Sequence, residues 1–267
     1  MLRHGRSKYS RGGGIVLSPK ACQHLVVEYL LNKKLIDASV NSRSLFEAAS
    51  MGHHSIGRTL LRYGANVQAV DDKRQTPLHL AAEAGRQSVV KTLLNSNANP
   101  NALNRERETP LHRATRGDKT ETMVLLLDGK ADVNASSRDR KTPLHLAVYS
   151  APAVRLLMGK EPNVDATDIN GQTPLHIAAG RCKDCHEAAV ILLKARADIS
   201  IEDKKGATPL SLVVKTQDLP LVKDYYETAP DKHHWKSAVY AAIRIAIEES
   251  SLDIVKFLLE VPSEALA

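Results

Sequence analysis

The chain has 267 residues, 43% of them hydrophobic and 4% aromatic, with a formal net charge of +7. That apolar content excludes a wholly disordered chain, and the scarcity of aromatics leaves Leu, Val, Ile and Ala to build the core. Five of the excess positive charges fall in the first twenty residues (Arg3, Arg6, Lys8, Arg11 and Lys20, with no acid), so the rest carries about +2 and the basic balance describes a tail rather than a nucleic-acid-binding domain.

Residues 1–17 read as a basic flexible tail. Gly12-Gly13-Gly14 breaks any presequence helix, and Ile15-Val16-Leu17 is too short for a secretory signal. The most apolar run, Leu25 to Ile36, is interrupted by Glu28, Lys33 and Lys34 and cannot span a membrane. From there a repeat takes over. T-P-L-H starts at Thr76, Thr109, Thr142 and Thr173, and T-P-L-S at Thr208, with gaps of 33, 33, 31 and 35 residues. Leu45, Ala48, Ala49 and Gly52 extend the frame backwards, and Ile243 and Ala246 extend it forwards. Leu pairs at 60–61, 93–94, 126–127, 156–157, 192–193 and 258–259 mark a second element in each unit, with Tyr225-Tyr226 in that place once. The chain is therefore read as an array over 18–265: a half-repeat cap at 18–42, then repeats starting near 43, 76, 109, 142, 173, 208 and 241.

Each unit has a local physical logic. Thr is a good N-cap, and Pro suits the first helical position, where no N–H donor is needed. Leu78, Ala81 and Ala82 give an apolar face, and Gly85 or Gly117 supplies the turn into a second helix. There Val89, Val90, Leu93 and Leu94 recur at helical spacing. One unit cannot bury its stripe alone, so the units must stack, and the outermost should be atypical. Arg43-Ser44 and Ala241-Ala242-Ile243-Arg244 replace the motif at the two ends.

This 33-residue period with its T-P-L-H string resembles the ankyrin-repeat family, over roughly residues 19 to 262. The resemblance implies an all-α solenoid of helix-turn-helix units joined by short β-hairpins. It also implies protein binding through the hairpin tips and the concave face of the first helices, with no cofactor and no small-molecule substrate. No hydrolase, P-loop, zinc-protease or kinase motif is present, so no enzyme is expected.

Carried over by position, the tips hold Lys73, Arg105, Arg138 and Lys204 among acids such as Glu106, Glu108, Asp168 and Asp203. The concave positions gather Arg113, Arg116, Arg181 and Lys215 around Tyr149. Arg and Tyr favour binding hot spots, so a positive groove for an acidic peptide or protein surface is expected. The family's usual Gly two residues before the Thr is kept at Gly171 and Gly206, but Arg74, Arg107 and Arg140 replace it and are expected to force a different turn.

Metal readings are set aside. His79, His112, His145 and His176 recur one repeat apart, about 10 Å if helices pack normally, too far to share an ion. They are assigned structural hydrogen bonds. Cys182, Cys185 and His186 spell a haem-attachment string but read as exposed thiols in a widened loop. His53-His54 and His233-His234 read as solvated pairs. Three cysteines suggest an intracellular protein of the cytoplasm or nucleus, and a monomer is expected. The alternatives are a nucleic-acid or anionic-surface binder acting through the tail, or one part of a larger multidomain signalling protein.

Overall fold

A computed structural model describes residues 19–34, 42–181, 185–228 and 232–260. The tail at 1–17, Cys182 and the side chains of Arg181, His233, His234 and Trp235 lie outside the described residues. The helices are α1 (Pro19–Asn32), α2 (Ser42–Met51), α3 (His54–Arg62), α4 (Pro77–Glu83), α5 (Gln87–Asn95), α6 (Pro110–Arg116), α7 (Thr120–Asp128) and α8 (Pro143–Ala147). They continue with α9 (Ala151–Met158), α10 (Pro174–Arg181), α11 (His186–Lys194), α12 (Pro209–Thr216), α13 (Leu219–Thr228), α14 (Lys232–Glu248) and α15 (Leu252–Glu260).

They stack as two ladders. The even-numbered first helices contact one another in order from α2 to α14, and the odd-numbered second helices do so from α1 to α15. Thr76, Thr109, Thr142 and Thr208 hold extended backbone as N-caps, each with a Pro in the first turn. Leu78, Leu111, Leu144, Leu175 and Leu210 are fully buried. So are Leu126, Leu157, Leu192, Tyr225 and Leu258 at one register of the second helices. These form one continuous core, with small residues such as Ala81, Ala114 and Ala178 at the helix contacts. The fold is a helical solenoid.

Several local expectations change. No strand occurs among the described residues. At the junctions before Thr76, Thr109, Thr142, Thr173 and Thr208 the chain makes a tight turn; in the first of them Asp71 N–H donates to Gln75 O at 3.0 Å and Arg74 N–H to Asp71 O at 2.8 Å. Gly117 does not carry the inter-helix turn. The left-handed residue there is Asp118, at φ 50°, in the register of Gly85 at 66°. Gly117 instead permits close approach, since a Cβ would lie 3.2 Å from the Glu83 carbonyl oxygen.

The two residues missing from the fourth unit come out of its first helix, because α8 has five residues where α4 and α6 have seven. In the last unit, with no Thr-Pro to start a helix at 241, α14 begins at Lys232 and runs through that position for 17 residues.

Candidate functional site

The turns are built on a residue five positions before each Thr. Asp71 Oδ1 accepts from Lys73 N–H at 2.9 Å and Gln75 N–H at 2.7 Å. Asn104, Asp168 and Asp203 accept from two turn N–H groups in the same way, and Ser137 Oγ accepts from Lys141 N–H. Arg74, Arg107 and Arg140 take φ of 57–59° where Gly171 and Gly206 take 77° and 73°. The expected change of turn does not occur: the side-chain acceptor fixes the turn, and the arginines adopt its left-handed conformation. Neighbouring turns are joined by single backbone bonds, from Arg105 N–H to Lys73 O, Arg138 N–H to Glu106 O, Ile169 N–H to Asp139 O and Lys204 N–H to Asn170 O.

The recurring histidines sit beneath these turns. In each, Nδ1 accepts from its Thr N–H at 3.1–3.2 Å. Nε2 donates at 3.0 Å to the carbonyl just before the next unit's first helix: His79 to Glu108, His112 to Lys141, His145 to Gln172 and His176 to Ala207. The accepting role of Nδ1 fixes the proton on Nε2. Burial pushes all four imidazoles below their usual pKa, only partly offset by those carbonyl bonds, so they are neutral struts. Ser211 replaces the His once. It keeps the cap, accepting from Thr208 N–H at 3.0 Å, but its hydroxyl donates back to Thr208 O.

The expected arginine groove is partly closed from within. Arg113 pairs with Glu83 at 2.6 Å and with Glu108 at 3.3 Å, and Arg116 pairs closely with the other Glu108 oxygen. Glu108, read from sequence as a solvated tip acid, has a side chain only 6% exposed. Burial alone would raise its carboxyl pKa, but hydrogen bonds from Arg116 and Asn104 and the charges of Arg116 and Arg113 hold it below the ordinary value. Asp168 and Asp203 are likewise buried turn acceptors rather than solvated tip charges. Of the expected tip cations, Lys73, Arg105, Arg138 and Lys204 are exposed, and Arg138 pairs with Glu106 at 3.6 Å.

An open cleft of about 340 Å³ lies further along, across α8, α10 and α12. Leu146, Ile177 and Leu212 line it with apolar surface, and Lys141, Lys205, Lys215 and Tyr149 also contribute. Tyr149 is 58% exposed, and none of the three lysines has an ion-pair partner among the described residues. The structure thus joins Tyr149 and Lys215 in one cavity and separates them from Arg113 and Arg116. Lys141 was missed as a cleft residue. Its signal was weak, since it stands just before Thr142, in a segment read for its tip charge.

Cys185 is fully buried, not exposed as expected, because it opens α11 and packs into the core. His186 lies 2.8 Å from Asp224 and 3.7 Å from Asp218. No group of three or more His, Cys, Asp or Glu side chains is placed to hold a metal ion among the described residues. None of the described helices is long and apolar enough to cross a membrane.

A family model described as ankyrin repeats (3 copies) matches the chain in overlapping segments, 18–104, 45–137, 89–168, 111–203 and 149–234. No curated protein matches it.

Proposed function

The chain belongs to the ankyrin-repeat family, and from that premise we propose that it is a protein-binding module that takes an acidic peptide segment in the cleft between α8 and α12. Ankyrin repeats are generally protein–protein interaction modules and typically non-enzymatic scaffolds. The observation that carries the reading is the combination of Tyr149 and three lysines that have no ion-pair partner among the described residues with the apolar patch of Leu146, Ile177 and Leu212. The cleft is at the small end of the roughly 300–1,000 Å³ range of ligand pockets, which suits one or two side chains of a peptide. An apolar anchor flanked by Asp or Glu satisfies both parts of the lining. Lysine attraction speeds encounter, and burial of the anchor slows release.

Arg113 and Arg116 have a smaller part in this reading than their sequence positions suggest, because Glu83 and Glu108 already neutralise them. The test is selection of random displayed peptides on the full chain. Enrichment of an apolar residue flanked by acids is expected. Tyr149→Ala and Lys215→Glu should each weaken the selected peptide about tenfold or more, in the range of a binding hot spot, while Arg116→Ala changes it little. Enrichment of basic or uncharged peptides, or affinity insensitive to Tyr149 and Lys215, overturns the reading. Capture of oligonucleotides with a steep salt dependence would favour nucleic acid instead.

A further inference from the structure

Both ends of the stack present helix faces of the kind that inner repeats bury. The residues in the register of Ile247 are Ala49, Ala82, Thr115, Val148, Ala179 and Val214, and all are buried, whereas Ile247 is 61% exposed. Leu259 shares the register of Leu127 and Leu193, both buried, yet is 59% exposed. Leu252, seven residues before Leu259 on α15, is exposed as well, so the two share one helix face. At the other end, Leu25, Val26 and Tyr29 of α1 are exposed at three- and four-residue spacing, while Leu31 on the opposite face is buried. Repeat arrays stay separate when their terminal units carry polar outer faces. At both described ends, large apolar side chains stand exposed among the polar ones.

We propose that these two surfaces meet: the chain associates head to tail with a second copy of itself, α1 of one copy stacking on α15 of the other. The contact continues an interface the molecule already uses, because each second helix packs on the next from α1 to α15. In that register Lys33 and Lys34, just past α1, come beside the C-terminal end of α15, the negative end of its helix dipole. A tail-to-tail pair would instead set Glu248, Glu249 and Asp253 against their own copies. Head-to-tail contact does not close on itself, so assembly proceeds past the dimer. The small apolar patches make the association weak and dependent on concentration. Such association would take the place of the monomer expected from the sequence.

The test is sedimentation velocity of the full chain over rising concentration, with folding of each variant checked by circular dichroism. All substituted residues are exposed. The wild-type mass should climb past that of a dimer, while Leu259→Glu and Tyr29→Glu, each blocking one end, stay monomeric alone. Mixed in equal amounts they should form dimers and nothing larger, since each retains the end the other lacks. A wild type that stays monomeric throughout overturns the proposal. So does Tyr29→Glu dimerising alone, which indicates tail-to-tail contact, or Leu259→Glu dimerising alone, which indicates head-to-head contact. Lys215→Glu, a cleft variant, should associate like the wild type, so failure of the cleft reading and failure of this one are separable.

Discussion

His79 Nε2 donates to the carbonyl oxygen of Glu108 at 3.0 Å, twenty-nine residues away, and so ties the first helix of one repeat to the turn that starts the next. Because Thr76 N–H donates to Nδ1, this is the neutral tautomer, and a second proton on Nδ1 would displace that N–H and turn to Thr76 Oγ1, 2.8 Å away. The same strut recurs at His112, His145 and His176.

These struts make stability depend on pH in a definite direction. The folded pKa of each histidine lies below the usual value of 6.5, so the unfolded chain takes up protons first as pH falls. Their contribution is complete above about pH 6.5 and is lost as pH drops from there through the depressed folded values. Urea midpoints measured in steps from about pH 7.5 to about pH 5 should stay level down to about pH 6.5 and fall below it. A flat profile would show that the imidazoles are not held neutral.

Glu108 is a structural acid. Glu108→Gln removes the charge that holds Arg113 and Arg116 and should lower stability by about 1.5–3 kcal/mol, the usual range for a hydrogen bond to a charged group. Denaturant unfolding checks this. An unchanged midpoint would mean that the ion pairs merely decorate the surface.

The left-handed arginines leave room for improvement. Arg107 is exposed, has no ion pair among the described residues and sits at φ 57°. Left-handed backbone costs a side-chain-bearing residue roughly 1–2 kcal/mol, against the roughly 0.5–1 kcal/mol of extra chain entropy that Gly loses on folding. Arg107→Gly should therefore raise stability by up to about 1 kcal/mol, read as a higher urea midpoint at constant slope.

Tyr225 is fully buried in the register where the other units carry Leu, and its hydroxyl has no hydrogen-bond partner among the described residues. Burial pushes its pKa well up. Tyr225→Phe removes the orphaned hydroxyl and keeps the ring, so stability should rise by about 1 kcal/mol or more. A fall in the midpoint would reveal a partner for that oxygen.

The sequence by itself determined the solenoid. Period, Thr caps, Pro at the first helical position and the Leu–Ala face act within one turn of helix or between equivalent positions of adjacent units, so they are legible in one dimension. It also placed Tyr149 and Lys215 on the shared face. Only the tertiary structure decided which of the expected cations remain available. Glu108 looks like any exposed turn acid in the sequence, yet its side chain folds back along α6, just after it, to Arg113 and Arg116, and stacking adds Glu83 of the preceding repeat to Arg113. The turns kept their shape despite arginine at the glycine position because Asp71 and Asn104 cap them, a side-chain bond that the T-P-L-H frame does not announce. Leu259 is the same residue as its buried counterparts Leu127 and Leu193, and Ile247 is as apolar as Val148 and Val214. What separates them is whether another repeat lies on top, and exposure of that kind is a property of the stack, not of the residue.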